Sequence, residues 1–528
     1  MNNENELMLN SHEKKSREIT LLKSNQSIFG PDKAIKIVSS KSQLSDGARI
    51  YKSPNERRGV IHQLLVTGAV LILTAACGMP IGYSAVLLPQ LSGNTTDPLR
   101  LDVTMGSWIA SIHSAATPVG SFASGPIMDI LGRKTALLIS ILPLVGGWTC
   151  IALAQSHLLL LIGRVVCGVA VGLISAPVQV YIAEIAEPRL RGVLIGAPFV
   201  AYSVGILFIY GLGAALHWRA VAWCAIILPT ISFLAVIFAP ETPTWLIRHN
   251  LTAKASAALS FLRGDDEKGK RELQQLTMRY EREKALMTAS SERFVNILKR
   301  KSVMKPLIII NTFNMIQVIS GVYLVIFYAV DIIKEFGGDT LTPTMAAVFT
   351  AVVRLISTII YCFLLMYTSR RMMSILSGLG TGIAATSLAI IFYVHPENMG
   401  GGLRVLCAVF LVIYIGCSTG YMVLPGIMVG ELLPARIRGQ VAGYIFCLFN
   451  LGLFILAKGY PYVKDDMKTS GLFLMFGVSS LVGVILLYIV FPETKGKTLG
   501  AIEDYFMENP WMWSRRKSAV NRRDMTRS

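Results

Sequence analysis

Charge is scarce in this chain. Of 528 residues only 16% are charged, while 53% are hydrophobic and the mean hydropathy is +0.54. A soluble chain of this length carries nearer a quarter charged residues, so an ordinary water-soluble globule is excluded. Acids are scarcer than bases: 32 Asp and Glu against 50 Lys and Arg give a formal net charge of +18. All eight cysteines (Cys77, Cys150, Cys167, Cys224, Cys362, Cys407, Cys417, Cys447) fall inside apolar runs. That placement argues against a disulfide framework or a metal site and reads as small buried side chains. No Gly-x-x-x-x-Gly-Lys-Ser/Thr loop occurs, which removes an ATP-driven pump. No catalytic constellation stands out, so the chain is not expected to be an enzyme, and no cofactor or metal is expected. No short apolar segment with a cleavage site opens the sequence, so no secretory signal peptide is expected.

What the chain does have is long apolar runs. "LLVTGAVLILTAACGMPIGYSAVLL" (64–88) and "GLFLMFGVSSLVGVILLYIVF" (471–491) hold no charge at all. Runs of ~20 such residues span a bilayer as helices, and their lack of alternation excludes a barrel. The expected fold class is an all-α membrane protein of twelve transmembrane helices. The spans are placed at 63–90, 105–128, 135–155, 158–182, 193–216, 220–239, 306–334, 343–366, 373–394, 403–430, 440–460 and 471–491. Five regions follow: a tail (1–62), a six-helix half (63–239), a central loop (240–305), a second six-helix half (306–491) and a tail (492–528).

Basic residues gather on one side. The N-terminal tail to Arg58 holds 11, the central loop from Arg248 to Lys305 holds 14, and the C-terminal tail from Lys495 holds 8. This positive-inside bias puts both termini in the cytoplasm, and the excess charge faces anionic lipid rather than nucleic acid. The sequon at Asn94 then lies outside and is the one expected to carry glycan, which fits the plasma membrane.

The two halves repeat. "EIAEPRLRG" (184–192) recurs as "ELLPARIRG" (431–439), and "GPIMDILGRK" (125–134) has a weaker counterpart in "YTSRR" (367–371). "PETPTWL" (240–246) recurs as "PETKGKTL" (492–499). All three pairs share nearly one offset, roughly 250 residues. Two parallel halves about an axis normal to the membrane are a secondary-transporter design. These marks, with Gly163-Arg164, resemble the sugar porter branch of the major facilitator superfamily over residues 63 to 500. Tails and layout are similar to insect facilitated trehalose or hexose transporters.

The resemblance implies a charge network at the cytoplasmic ends of the spans: Asp129, Arg133, Arg164, Glu184, Arg191, Glu241, Glu431, Arg438 and Glu493. In that family such residues bridge the halves when the cytoplasmic side is closed. It also implies a central substrate path lined by the first, fourth, seventh and tenth spans. Candidate substrate-binding residues are Gln317, Asn314, Tyr323 and Tyr328 on the seventh span, with Asn311 as a further polar group there, and Asn450 reaching in from the facing half. Trp108 and His113 read as structural. The chain departs from the family pattern at Val318, Tyr323, Gly426, Phe199 and Phe446, where Gln, Asn, Trp, Gln and Asn are usual. Arg354 is an intramembrane charge, no Asp or Glu lies in the apolar interior of any span, and snorkelling, helix carbonyls and an anionic substrate all stay open.

The expected function is facilitative transport of a hexose or trehalose by alternating access. No proton coupling is expected, because residues 59–91 contain no acid. The partners are then a small-molecule sugar and membrane lipids, with no nucleic acid; the oligomeric state is open. The alternatives are an organic-ion carrier on the same scaffold and a non-transporting sugar sensor.

Overall fold

A computed structural model describes residues 54–93, 99–264, 266–289, 301–334, 343–395, 401–433, 438–493 and 506. Those residues are helical with short connections, and no strand occurs among them.

The first half contains α1 (Pro54–Gly93), α2 (Val103–Leu131), α3 (Arg133–Ala152), α4 (His157–Ile185), α5 (Pro188–Ala215), α6 (Trp218–Ala225) and α7 (Ile227–Ile237). The central loop carries α8 (Pro243–Arg248), α9 (Thr252–Arg263) and α10 (Asp266–Ala289). The second half contains α11 (Lys301–Ile319), α12 (Leu324–Phe327), α13 (Ala329–Lys334), α14 (Pro343–Tyr367), α15 (Arg370–Val394), α16 (Gly401–Leu432) and α17 (Arg438–Val490). Local chemistry starts several of these. Asp102 Oδ1 accepts from the Met105 N–H at 2.7 Å, and Ser369 Oγ from the Met372 N–H at 3.2 Å, each capping orphan donors.

Among the described residues nine helical stretches are long and apolar enough to cross a membrane. Three of the twelve crossings expected from the sequence are not separate members of those nine. The 53 residues of α17 are ~80 Å of helix, far more than one bilayer needs. They divide at Lys468, whose φ of 57° breaks the helix. The 29-residue α2 is long enough to cross but polar along one side. The seventh crossing is not the continuous run read from the sequence; it is broken into α11, α12 and α13. At the break Gly321 has φ 77°, and a Cβ there would meet the Phe476 ring. The central loop, read as polar and charged, folds into α8–α10 on the end of the bundle where α1 starts. Arg263 Nη1 donates to the Ile185 carbonyl at 2.9 Å, and Gln63 Nε2 to the Leu262 carbonyl at 2.9 Å.

Within the first half α2 packs on α4 and α1 on α5. The α2–α4 seam is close because it is built on glycine: a Cβ at Gly168 or Gly172 would run into the carbonyl of His113 or Thr117. The second half repeats the plan with α14 on α16 and α11 on α17. The halves meet along two seams, α2 with α17 and α5 with α14.

Candidate functional site

The repeated marks assemble at the end of the bundle where α1 starts, called here the basic end. Glu241 follows the last helix of the first half and reaches the start of α3. Its carboxylate accepts from the backbone N–H groups of Arg133 (3.0 Å), Lys134 (3.0 Å) and Thr242 (2.8 Å). Glu493 does the same for α15, accepting from Arg370 (3.2 Å) and Arg371 (3.3 Å). The Pro-Glu-Thr glutamates are therefore caps delivered from a distant segment, placed where the helix dipole favours an anion. Gly132 has φ 98°, and a Cβ on it would collide with the Glu241 carboxylate, so glycine is required there. Burial pushes the Glu241 carboxyl above its ordinary range, and the three N–H donors and the Arg133 charge work against that rise.

The arginines at these helix starts close the network. Arg133 pairs with Glu184 at 3.2 Å and Asp129 at 3.5 Å, and donates to the Met128 carbonyl. Arg370 pairs with Glu431 at 3.1 Å and donates to the Leu365 carbonyl. The two constellations are the same device built twice. Each of these ion pairs stays inside its own half. Arg370 and Arg371 are absent from the residues singled out above, although setting "YTSRR" beneath "ILGRK" places Arg370 on Arg133. The side chains of Arg191 and Arg438, and Asn94 altogether, lie outside the described residues.

Arg164 does not belong to this network, which corrects the sequence reading. It sits two turns from the opposite end of α4 and is fully buried. Nε donates to the Ile109 carbonyl at 3.1 Å, Nη1 to the Pro80 carbonyl and Nη2 to Ser84 Oγ at 2.6 Å. "GR" near a helix start gave no sign of which end it marked.

The helix break at Gly321 builds the second site. Gln317, 2% exposed, ends α11 and donates from Nε2 to the Tyr323 hydroxyl at 3.4 Å across the break. The Ser320 carbonyl, freed from the helix ladder, accepts from the Tyr414 hydroxyl at 2.7 Å. Arg354 faces this cluster from α14, on the seam with α5, and the ionisable groups around its guanidinium are Tyr210, Tyr323, Tyr414 and Tyr202. Ser203 of α5 and Thr358 of α14 meet across the seam at 3.2 Å. Gln317 and Tyr323 are thus a buried hydrogen-bonded pair, and Arg354 is a buried charge near Tyr323 on the helix that meets α5; together they form a polar cluster. Tyr202, Tyr210 and Tyr414 were not anticipated, since an aromatic in an apolar run carries no mark of the face it occupies.

The remaining candidates are placed differently. Asn450 is on α17, in the same half as Gln317 and not the facing one, and its Nδ2 donates to the Phe446 carbonyl of its own helix at 2.8 Å. Asn314 is buried in α11 one turn before Gln317, and Asn311 Oδ1 is a buried acceptor without a partner. Tyr328 packs apart from that cluster: it donates to the Ala457 carbonyl at 2.9 Å and stacks on Tyr460 at 4.1 Å.

At the end opposite the basic one the halves are latched. Tyr210 donates to the Ile326 carbonyl at 2.5 Å. Lys458 donates to Ser107 Oγ at 2.7 Å and lies 4.2 Å over the Trp108 ring, so Trp108 serves the inter-half contact.

Comparisons with known proteins agree with this architecture. The family described as "Sugar (and other) transporter" matches residues 66–506. The facilitated trehalose transporter Tret1 of Apis mellifera ligustica is 31% identical over 446 residues, covering 84% of this chain and 88% of that protein. Tret1 of Culex quinquefasciatus is 30% identical over 446 residues, covering 84% and 85%. Among solved structures, the proton:xylose symporter XylE bound to 6-bromo-6-deoxy-D-glucose superposes with a TM-score of 0.69 at 18% identity, covering 84% of this chain and 99% of that one. The inward open conformation of XylE from E. coli gives 0.68 at 18% identity, with the same coverage. At that identity the likeness is one of fold.

Proposed function

The chain belongs to the sugar (and other) transporter family, and from that premise we propose that it is a sugar uniporter working by alternating access. The observation that carries the reading is the buried polar cluster of Gln317, Tyr323 and Arg354 beside the seam between two pseudo-equivalent halves. A site there is exposed to one side or the other as the halves rock. The latch of Tyr210, Lys458 and Trp108 closes the end opposite the basic one, so the described conformation is the one closed on that side. With the positive-inside bias of the sequence, the closed side is the outer one and both termini are cytoplasmic.

Uncoupled transport is supported by two features. Residues 59–91 contain no acid. Arg164, packed against this first span, is answered by carbonyls and the Ser84 hydroxyl and not by a titrating carboxylate. The relatives named facilitated trehalose transporters point to a hexose or a disaccharide as cargo.

Glu184 and Glu431, with Arg191 and Arg438, serve as the gate at the basic end. In the present state both glutamates rest on Arg133 and Arg370 of their own halves, and exchange of partners across the seam closes the cytoplasmic side. The test is uptake of labelled glucose and trehalose by the purified protein in proteoliposomes, with and without a proton ionophore. Saturable uptake that ignores the ionophore supports the reading. Uptake that collapses with the gradient refutes uniport, and saturable binding without flux makes the protein a sensor.

A further inference from the structure

Four arginines among the described residues are almost wholly buried: Arg133, Arg164, Arg263 and Arg354, at 3%, 0%, 3% and 3% exposure. Three of them show how this protein settles such a charge. Arg133 meets two carboxylates, Glu184 and Asp129. Arg263 forks onto both oxygens of Glu272, at 2.6 and 2.7 Å, and reaches the Ile185 carbonyl with its remaining nitrogen. Arg164 lacks a carboxylate but places all three nitrogens on oxygens.

Arg354 is the exception. Its hydrogen bond among the described residues runs from Nη1 to the Met422 sulfur at 3.8 Å, a weak acceptor. The groups that face it, Tyr210, Tyr323, Tyr414 and Tyr202, are phenols, neutral at pH 7. Two of those hydroxyls are already spent on the carbonyls of Ile326 and Ser320. Helix carbonyls, open as an answer from sequence, do not answer this guanidinium. Snorkelling fails as well: Arg354 lies near the middle of the 25-residue α14, is 3% exposed, and meets Met422 of α16 within the bundle.

We propose that Arg354 binds the carboxylate of the transported solute, and that this solute is a sugar acid: a polyhydroxylated monocarboxylate. The proposal rests on the carrier reading above and narrows its substrate class. A guanidinium presents two parallel N–H donors that match a carboxylate. Desolvation sets the valence. One buried cation neutralised by a monoanion leaves no net charge in a low-dielectric interior, whereas a dianionic phosphate ester leaves one uncompensated charge. The rest of the polar cluster suits a polyol, because Gln317 and the tyrosine hydroxyls both donate and accept, and the rings offer apolar faces. The placement suits transport, because α14 meets α5 across the halves, so rocking changes the access of the bound anion.

Uniport of a monoanion moves one negative charge per cycle, and this separates the proposal from neutral-sugar uniport. The experiment uses the full-length protein in proteoliposomes, with labelled D-glucuronate and D-gluconate as acid probes and glucose and trehalose as neutral ones. The expected result is acid uptake that an inside-positive diffusion potential of ~100 mV raises about fiftyfold at equilibrium, while neutral-sugar uptake is indifferent to it. Arg354→Gln lowers acid uptake at limiting concentration at least about tenfold, and Arg354→Lys keeps part of it. Should a variant fail to fold, the wild type decides: acids raise its thermal midpoint at concentrations where glucose does not. Neutral sugars carried while acids neither enter nor compete overturns the inference and leaves the carrier reading standing. Acid uptake unchanged in Arg354→Gln overturns it as well. If neither class moves or stabilises, the carrier reading itself falls.

Discussion

Glu241→Ala removes the acceptor that holds the start of α3. The Arg133, Lys134 and Thr242 N–H groups, at 2.8–3.2 Å, lose their partner in a half-buried turn. A lost cap costs about 0.5–2 kcal/mol, and a hydrogen bond to a charged group is worth about 1.5–3 kcal/mol. Burial of the carboxylate works against those gains, as its raised pKa shows. The net loss for Glu241→Ala is therefore about 2 kcal/mol, and under about 1 kcal/mol for Glu241→Gln, whose amide oxygen still accepts. The pH dependence has a definite sign. A carboxyl whose folded pKa is raised favours the folded state below its ordinary value of 4.5, and that contribution is lost as pH rises through the elevated value. Glu241→Gln does not titrate, so its stability relative to wild type rises across the window that opens at 4.5. Thermal unfolding of detergent-purified variants by intrinsic fluorescence measures both effects. A wild-type midpoint for Glu241→Ala at pH 7, or Glu241→Gln as unstable as Glu241→Ala, refutes the capping argument. Glu493→Ala ranks below Glu241→Ala in damage, because its bonds to Arg370 and Arg371 are longer, 3.2 and 3.3 Å.

Three further outcomes are expected. Gln317→Ala weakens apparent substrate affinity roughly tenfold, the equivalent of ~1–2 kcal/mol, in a competition-uptake assay; unchanged affinity removes Gln317 from the site. Glu431→Ala slows turnover more than it weakens binding if its ion pair is exchanged between access states as proposed; normal rates at normal surface expression count against the gate. Gly321→Ala forces a Cβ toward Phe476 at φ 77°, so it lowers the thermal midpoint and slows uptake; wild-type behaviour in both assays shows that the break in the seventh crossing tolerates a side chain.

Some of this protein is written directly in its sequence. Apolar runs of bilayer length state that it is a membrane helix bundle, because only an internally bonded backbone survives in lipid. The offset of roughly 250 residues between paired marks states that the bundle is two similar halves. Glu184, Glu241, Glu431 and Glu493 were legible as marks for the same reason: a charge in an apolar chain is conspicuous. Their partners were less so, because a cap such as Glu241 on Arg133 joins residues more than a hundred positions apart. The polar cluster was legible only in part. Gln317 showed itself as an amide among hydrocarbons, and Arg354 as a charge without a counter-ion. Tyr202, Tyr210 and Tyr414 did not, nor did the half to which Asn450 contributes or the end at which Arg164 lies. The reason is physical. Lipid and protein interior are about equally apolar, so the hydrophobic pattern of a membrane helix does not reveal which face meets lipid and which meets the other half. Only the packing of α5 on α14 and the break at Gly321 decided that an amide meets a phenol across a helix break and that four phenols from both halves surround a guanidinium.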